Sequence, residues 1–164
     1  MNDRPPLLAH EWIAGLEKGL TVIEAFDAHH PRMAAACGRR IVDMVWNDLT
    51  PARVLSRASF HNAIAVAMAL GCSTNAIIHL VAISRRAGAH CAVSLDDFDT
   101  FSRKVPVIAN IRPSGERYLM EDFYYAGGMR GLMKTLADGG LLHLNARTVT
   151  GQTVARSEEH TSEL

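Results

Sequence analysis

The run Ala76-Ile77-Ile78-His79-Leu80-Val81-Ala82-Ile83 carries one polar side chain in eight positions. A helix that is apolar nearly all round has no face to offer to water, so it is expected to be buried on most sides. Other layers must therefore surround it. A small autonomous helical binding or scaffold module fits this poorly, because a slice of a larger core cannot close its own interior. Exposed apolar area and aggregation are expected if the chain stands alone.

The segments around this run also read as helices. Residues 36–47 place Ile41 and Val45, with Val42 and Met44 beside them, on an apolar side. In residues 57–70, Phe60, Ile64 and Met68 recur every four positions, and Ala63, Ala65, Ala67 and Ala69 keep the helix slim enough for close packing. Residues 75–87 contain the apolar run and close at Gly88. Ser94 and Asp97 have capping-box spacing and open a helix over 95–104. Further helices are expected at 119–126, ending at Gly127-Gly128, and at 129–137, ending at Gly139-Gly140. Thr50 precedes Pro51 and could cap a helix starting there. Val105-Pro106-Val107-Ile108-Ala109 is a candidate strand with proline at its edge. Leu141–His143 and Thr148–Thr150 are short strand or loop pieces. Ahead of all these, Leu16, Leu20, Ile23 and Phe26 share a helical stripe that Pro31 ends.

Composition removes several classes. The 164 residues suit one ordinary domain, and 48% hydrophobic with 21% charged residues excludes a disordered chain. Lys+Arg and Asp+Glu both number 17, so no broad electrostatic footprint for nucleic acid is present. The apolar runs are too short to span a bilayer, and the N-terminus lacks the pattern of a secretory signal. The expected compartment is the cytoplasm. Cys37, Cys72 and Cys91 are widely spaced and odd in number, and no CxxC or HxxxH pair occurs, so neither a disulfide framework nor a metal motif is legible.

The most informative chemistry is Gly71-Cys72-Ser73-Thr74-Asn75, at the start of the apolar helix. Free N–H groups and the helix dipole there favour a carboxylate or phosphate, and Ser73 or Thr74 can equally serve as a structural cap. Ser73, Thr74, Asn75 and His79, one turn further on, are the candidate substrate-binding residues. No catalytic or metal-binding residue is assigned. Glu121 and Asp122 diverge by about 100° on a helix, so they cannot face one site together and read as an acidic helix start. They could instead hold a domain or subunit interface. Arg103 and Lys104 read as a solvated helix end. Cys72 has no identifiable base and reads as a small buried thiol.

Ordered segments then carry a family resemblance. They are Gly38–Met44, Gly71–Ala76 with His79-Leu80, Ser102–Pro106, Arg112-Pro113-Ser114-Gly115, Tyr118–Asp122 with Ala126–Gly128, Leu141–His143, and Thr148–Gly151. Together, over residues 34–155, they resemble the dihydroxy-acid dehydratase / phosphogluconate dehydratase (IlvD/Edd) family. The Arg-Pro-Ser-Gly and Phe-Tyr-Tyr-Ala-Gly-Gly wording looks most like its sugar-acid dehydratases. Cys72 departs from the family, which usually has a second glycine there.

The resemblance implies a mostly α fragment of an α/β domain, like the N-terminal domain of the IlvD/Edd enzymes, with few short strands. It implies a hydro-lyase converting a 2,3-dihydroxy acid, either a branched-chain or a sugar acid, to a 2-oxo acid. The cofactors implied are an iron–sulfur cluster acting as Lewis acid and Mg²⁺ holding the substrate. The family's cluster cysteines, and most Mg²⁺ ligands including a modified lysine, precede the matched span. Its serine base and remaining Mg²⁺ carboxylate come after it. On that reading the chain alone is inactive, the partner is a small dihydroxy acid, and the full-length family forms homodimers or larger homo-oligomers, with no membrane or nucleic-acid partner.

The two ends resemble other things. Glu11–Leu20 and Glu24–Asp27 are similar to the start of IclR-type transcription regulators, but the recognition helix that would enter the major groove is absent. This supplies the alternative function, a DNA-binding regulator, from residues 1–33 only. Residues 156–164 resemble translated sequencing adapter. The expected division is therefore 1–33 as a chimeric regulator-like segment, 34–155 as an interior slice of a dehydratase domain, and 156–164 as a non-native tail.

Overall fold

The computed structural model describes residues 31–159 apart from Met33 and Pro113, with the backbone alone at 157–159. The stripe from Leu16 to Phe26 lies outside the described residues, as does most of the regulator-like segment. The described residues divide into two units between Asn47 and Asp48. In the first, residues 34–46 form helix α1. Its apolar side is largely uncovered: Ile41, Val42, Val45 and Trp46 are all exposed, and Trp46 reaches 83%.

The second unit contains α2 (Pro51–Val54), α3 (Arg57–Leu70), α4 (Thr74–Ala87), a 3-10 turn (Ala89–Cys91), α5 (Leu95–Lys104), α6 (Met120–Tyr125), α7 (Gly128–Asp138) and α8 (Val154–Glu159). The longer predicted helices are present with ends shifted by a residue or two. Thr50 stands before α2, but its side chain caps nothing; Pro51, which brings no N–H, already occupies the first turn. α8 is an element the sequence pattern does not announce. Val154, 5% exposed, anchors its first turn in the core, so burial at one residue organises an otherwise polar stretch.

Helix α3 is the spine. Its start is a reciprocal box: the Ser59 amide donates to Ser56 Oγ at 3.1 Å, and the Ser56 amide to Ser59 Oγ at 2.8 Å. Its slim flank buries Ala65 and Ala69 against Leu132 and Leu136 of α7, with Val105, Leu142, Ala146 and Val154 completing that cluster. The other flank packs Phe60 and Ile64 on Cys91, Val93 and Phe98. Fully buried Ser84 ties α4 to the chain beyond the 3-10 turn, donating to the Val81 carbonyl at 2.9 Å and accepting from the Val93 amide at 3.1 Å.

Two expectations are overturned here. α4 is not enclosed: Ser84 is its one buried residue, and Ile78 and Ile83 are 66% and 50% exposed. Its apolar pattern describes a surface prepared for cover that the described residues do not supply. Val105–Ala109 is not a strand. The Ile108 and Ala109 amides both donate to the Ala69 carbonyl, at 2.8 and 3.0 Å, so α3 takes the donors a ladder would have used. The described residues contain isolated bridges, Ile111 with Tyr118 and Arg147 with Thr153, in place of a sheet.

Candidate functional site

The turn joining α3 to α4 is built from a Schellman ending followed directly by a cap. Gly71 adopts φ +66°, and the Cys72 amide reaches back to the Ala67 carbonyl at 3.0 Å. Among the described residues Asp48 is the one non-glycine with positive φ, so Cys72 sits where the family usually has glycine without backbone strain. Burial pushes its thiol above the ordinary range, opposed by a backbone hydrogen bond. A protonated, half-buried thiol is a poor nucleophile, in keeping with its reading as a small packing residue. Ser73 then caps α4, its Oγ accepting from the Asn75 amide at 3.3 Å. The capping role is therefore real.

The loop after α5 closes over this turn. Ser114 Oγ donates to the Gly71 carbonyl. The Arg112 amide donates to the Tyr118 carbonyl at 2.8 Å, and Arg112 Nε to the Glu116 carbonyl at 3.0 Å. An open cleft of about 520 Å³ results, with Gly71, Ser73, Thr74, Arg112, Ser114 and Met120 on its walls. Of the four candidate residues, Ser73 and Thr74 line it. Asn75 and His79 are exposed and do not. Arg112 and Ser114 were not assigned to the site from sequence, because they arrive from some forty positions further along the chain.

Other candidates resolve simply. Asp122 Oδ2 accepts from the Leu119 amide at 2.8 Å, so it holds the start of α6, and Glu121 is exposed. Arg103 pairs with Asp99 at 3.1 Å on the exposed end of α5. Cys91 Sγ donates to the Leu55 carbonyl at 3.2 Å in the core, while Cys37 is exposed. Among the described residues no three His, Cys, Asp or Glu side chains converge as a metal site. The described residues therefore bring together no ligand set for an iron–sulfur cluster or Mg²⁺.

One electrostatic cluster escaped the sequence reading. Arg57 donates to Asp97 Oδ1 at 3.0 Å and to the Ala92 carbonyl at 2.7 Å. His61 Nε2 lies 3.5 Å from the same carboxylate oxygen, buried and outside hydrogen-bond geometry, with its ring 5.2 Å from Phe101 and 5.5 Å from His143. Burial lowers the His61 pKa from the usual 6.5, helped by Arg57 and His143 and opposed by Asp97. For Asp97, burial works to raise the pKa, but the Ser94 amide, Arg57 and His61 outweigh it and hold the group below 3.8. The four-residue spacing of Arg57 and His61 was the available signal; their carboxylate partner lies on another helix.

Residues 13–157 match the family model described as dihydroxy-acid/6-phosphogluconate dehydratase N-terminal. The match takes in most of the span read as regulator-like. The chain is 48% identical over 136 residues to an L-arabinonate dehydratase of Rhizobium leguminosarum bv. trifolii (strain WSM2304), covering 83% of this chain and 23% of that protein. It is 47% identical over 134 residues to a 6-deoxy-6-sulfo-D-gluconate dehydratase of Pseudomonas putida, covering 82% and 22%. It is 43% identical over 135 residues to a dihydroxy-acid dehydratase of Microcystis aeruginosa (strain NIES-843 / IAM M-2473), covering 82% and 24%. The chain thus spans about a quarter of the length of the curated relatives it matches. No helix among the described residues is long and apolar enough to cross a membrane.

Proposed function

The chain belongs to the dihydroxy-acid/6-phosphogluconate dehydratase N-terminal family, and from that premise we propose that it is part of a hydro-lyase that removes water from a 2,3-dihydroxy acid to leave a 2-oxo acid. The observation that carries this is the match over residues 13–157, supported by 43–48% identity to three dehydratases named for different acids. A sugar acid is the proposed substrate class. The Arg112–Gly115 and Phe123–Gly128 segments favour it, as do two relatives named for sugar acids.

The 164-residue chain by itself is proposed to be catalytically silent. It spans about a quarter of its relatives, and the iron–sulfur and Mg²⁺ chemistry implied by the family would need ligands from elsewhere in the polypeptide. The proposed division keeps 34–155 as the dehydratase slice, with 1–33 and 156–164 of other origin, although the family match also takes in residues 13–33, 156 and 157. It rests on the wording of those two ends.

Within the slice, Ser73 and Thr74 are the proposed contacts for the substrate carboxylate. The N–H groups at the start of α4 and the helix dipole favour an anion, and Arg112 lines the same cleft. Asn75 and His79, on the outer side of α4, are proposed as flanking contacts. The test is a graft of residues 34–155 into the Rhizobium enzyme in place of the segment they match. Turnover of L-arabinonate is expected. Thr74→Ala in the graft is expected to raise KM about tenfold, the loss of one charge-assisted hydrogen bond. A folded graft that dehydrates neither a sugar acid nor a branched dihydroxy acid overturns the functional reading. Unchanged KM and kcat in Thr74→Ala removes the site assignment alone.

A further inference from the structure

His61 stands where three parts of the second unit meet. Its own helix, α3, brings Arg57; α5 brings Asp97 and Phe101; the loop after α7 brings His143. The Asp97 carboxylate is already engaged at both oxygens. Oδ1 accepts from Arg57 at 3.0 Å and Oδ2 from the Ser94 amide at 2.8 Å. His61 Nε2 is left 3.5 Å from Oδ1, buried and without a hydrogen bond. A buried nitrogen with no partner is costly when neutral and costlier when charged, because the charge finds neither water nor a bond.

The His143 ring lies against that imidazole, with centroids 5.5 Å apart. The same residue anchors its loop. Its amide and carbonyl both bond to the side chain of Asn62, the neighbour of His61 in α3. The Ala146 amide donates to the His143 carbonyl at 3.1 Å, the Val154 amide to the Ala146 carbonyl at 2.9 Å, and the Ala155 amide to the Leu144 carbonyl at 3.0 Å. Leu142, Ala146 and Val154 enter the core from this stretch. Movement of His143 away from α3 therefore carries residues 141–155 with it.

We propose that His61 and His143 form a proton-operated latch: a proton on His61 drives residues 141–155 off α3 and α7, and its loss lets them close again. The physical cause is solvation. The closed latch holds a His61 cation beside Arg57 and against His143, offset by one carboxylate oxygen that Arg57 already uses. The open latch gives that cation water. Burial, Arg57 and His143 all lower the His61 pKa in the closed form, and Asp97 only partly restores it, so protons favour the open form. Opening is local, because Phe60, Ile64, Cys91, Val93 and Phe98 keep α3 packed on α5 and the 3-10 turn without any residue of the 141–155 stretch. This inference is independent of which acid is dehydrated.

The experiment is amide hydrogen exchange on the full chain at pH 7.5, 6.5 and 5.5, each rate divided by the intrinsic rate at that pH. The His143, Ala146 and Val154 amides read the latch. The Ile64 amide, inside α3, reads global unfolding, and the Gly115 amide reads a local opening outside the cluster. Protection at the three latch amides is expected to lie well below that at Ile64. It should fall about threefold to tenfold between pH 7.5 and 5.5, about tenfold being the limit for a group that titrates near 6.5 when open and stays neutral when closed. Protection at Gly115 should stay level. His61→Gln should remove the fall and keep the gap from Ile64. Equal protection at His143 and Ile64 at every pH overturns the proposal, because the stretch then opens only with the whole unit. A fall that is absent, that Gly115 shares, or that survives in His61→Gln overturns it as well. Should His61→Gln fail to fold, imidazole ¹⁵N titration of the parent chain decides: a His61 midpoint below 6.5 is expected, and one at 6.5 or above overturns the latch, because closure would then favour the proton.

Discussion

The side chain of Asn62 pairs with the backbone of His143 in both directions, donating from Nδ2 to its carbonyl at 3.1 Å and accepting its amide at Oδ1 at 2.7 Å. Asn62 is 7% exposed and lies 81 positions away in the chain. One polar side chain thus ties the loop after α7 to the middle of α3, where a hydrophobe would leave two peptide groups without partners. Asn62→Ala is expected to lower stability by about 1–3 kcal/mol, the range for two hydrogen bonds and the peptide groups they leave unpaired. At this size that is a fall of about 2–4 °C in Tm for each kcal/mol. Thermal melts of the two proteins check it, and an unchanged Tm would show that water replaces the amide without loss.

The cluster around His61 makes stability depend on pH in two separate windows. His61 has a folded pKa below the usual 6.5, so the unfolded chain binds this proton more readily. Its contribution is complete above pH 6.5 and is lost as pH falls below that value. Asp97 is held below 3.8, so its contribution is present above that value and is lost at lower pH. Tm is therefore expected to drop between pH 7.5 and 5.5, and His61→Gln should flatten that drop while leaving the acid limb below pH 4. If His61→Gln keeps the full slope above pH 5, another group is responsible.

Much of this fold could be read locally. Gly71, Gly88 and the Ser94/Asp97 pair mark helix ends through backbone chemistry that acts within a few residues, and these ends stand where the sequence puts them. What could not be read depends on partners. Whether Ile78 is covered, whether Val107 finds a neighbouring strand, and whether His61 meets Asp97 are decided by residues far away or outside the chain. The cleft divides the same way: Ser73 and Thr74 are legible as a helix start, but Arg112 and Ser114 reach it only through tertiary folding.

Gly115 is fixed by space. A Cβ built there would stand 2.4 Å from the Asn110 carbonyl carbon and 2.5 Å from the Ile111 nitrogen, inside a loop held by Gly115 N–H to the Ile111 carbonyl and Glu116 N–H to Asn110 Oδ1. The obstacle is backbone, which cannot rotate away. Gly115→Ala is expected to lower stability by about 1–3 kcal/mol, as overpacking does, and to speed amide exchange at Gly115 and Glu116. Gly38→Ala is the contrast: nothing lies within 4 Å of its added Cβ, and it is helical, so a gain of about 0.5–1 kcal/mol in helix stability is expected. Equal melting temperatures for Gly115→Ala and the parent chain would mean that the 110–118 loop rearranges freely.

The exposed apolar side chains set the behaviour of the chain in solution. Val45 and Trp46 on α1, Ile78 on α4, and Tyr124 and Tyr125 on α6 are each more than 60% exposed. Single exposed hydrophobes are ordinary on a protein surface, but several on helices shaped for burial are not. Burying them yields about 25 cal/mol per Å², so the chain is expected to associate with itself as its concentration rises and to enhance the fluorescence of an apolar-surface dye. Sedimentation velocity across a range of concentrations reads the first effect. Ile78→Lys combined with Tyr125→Glu should shift the distribution toward monomer without lowering Tm, because neither side chain contributes to the buried clusters. A monomer at every concentration, with a sharp two-state melt and no dye response, would mean that the fragment closes its own surface and that these faces need no further polypeptide.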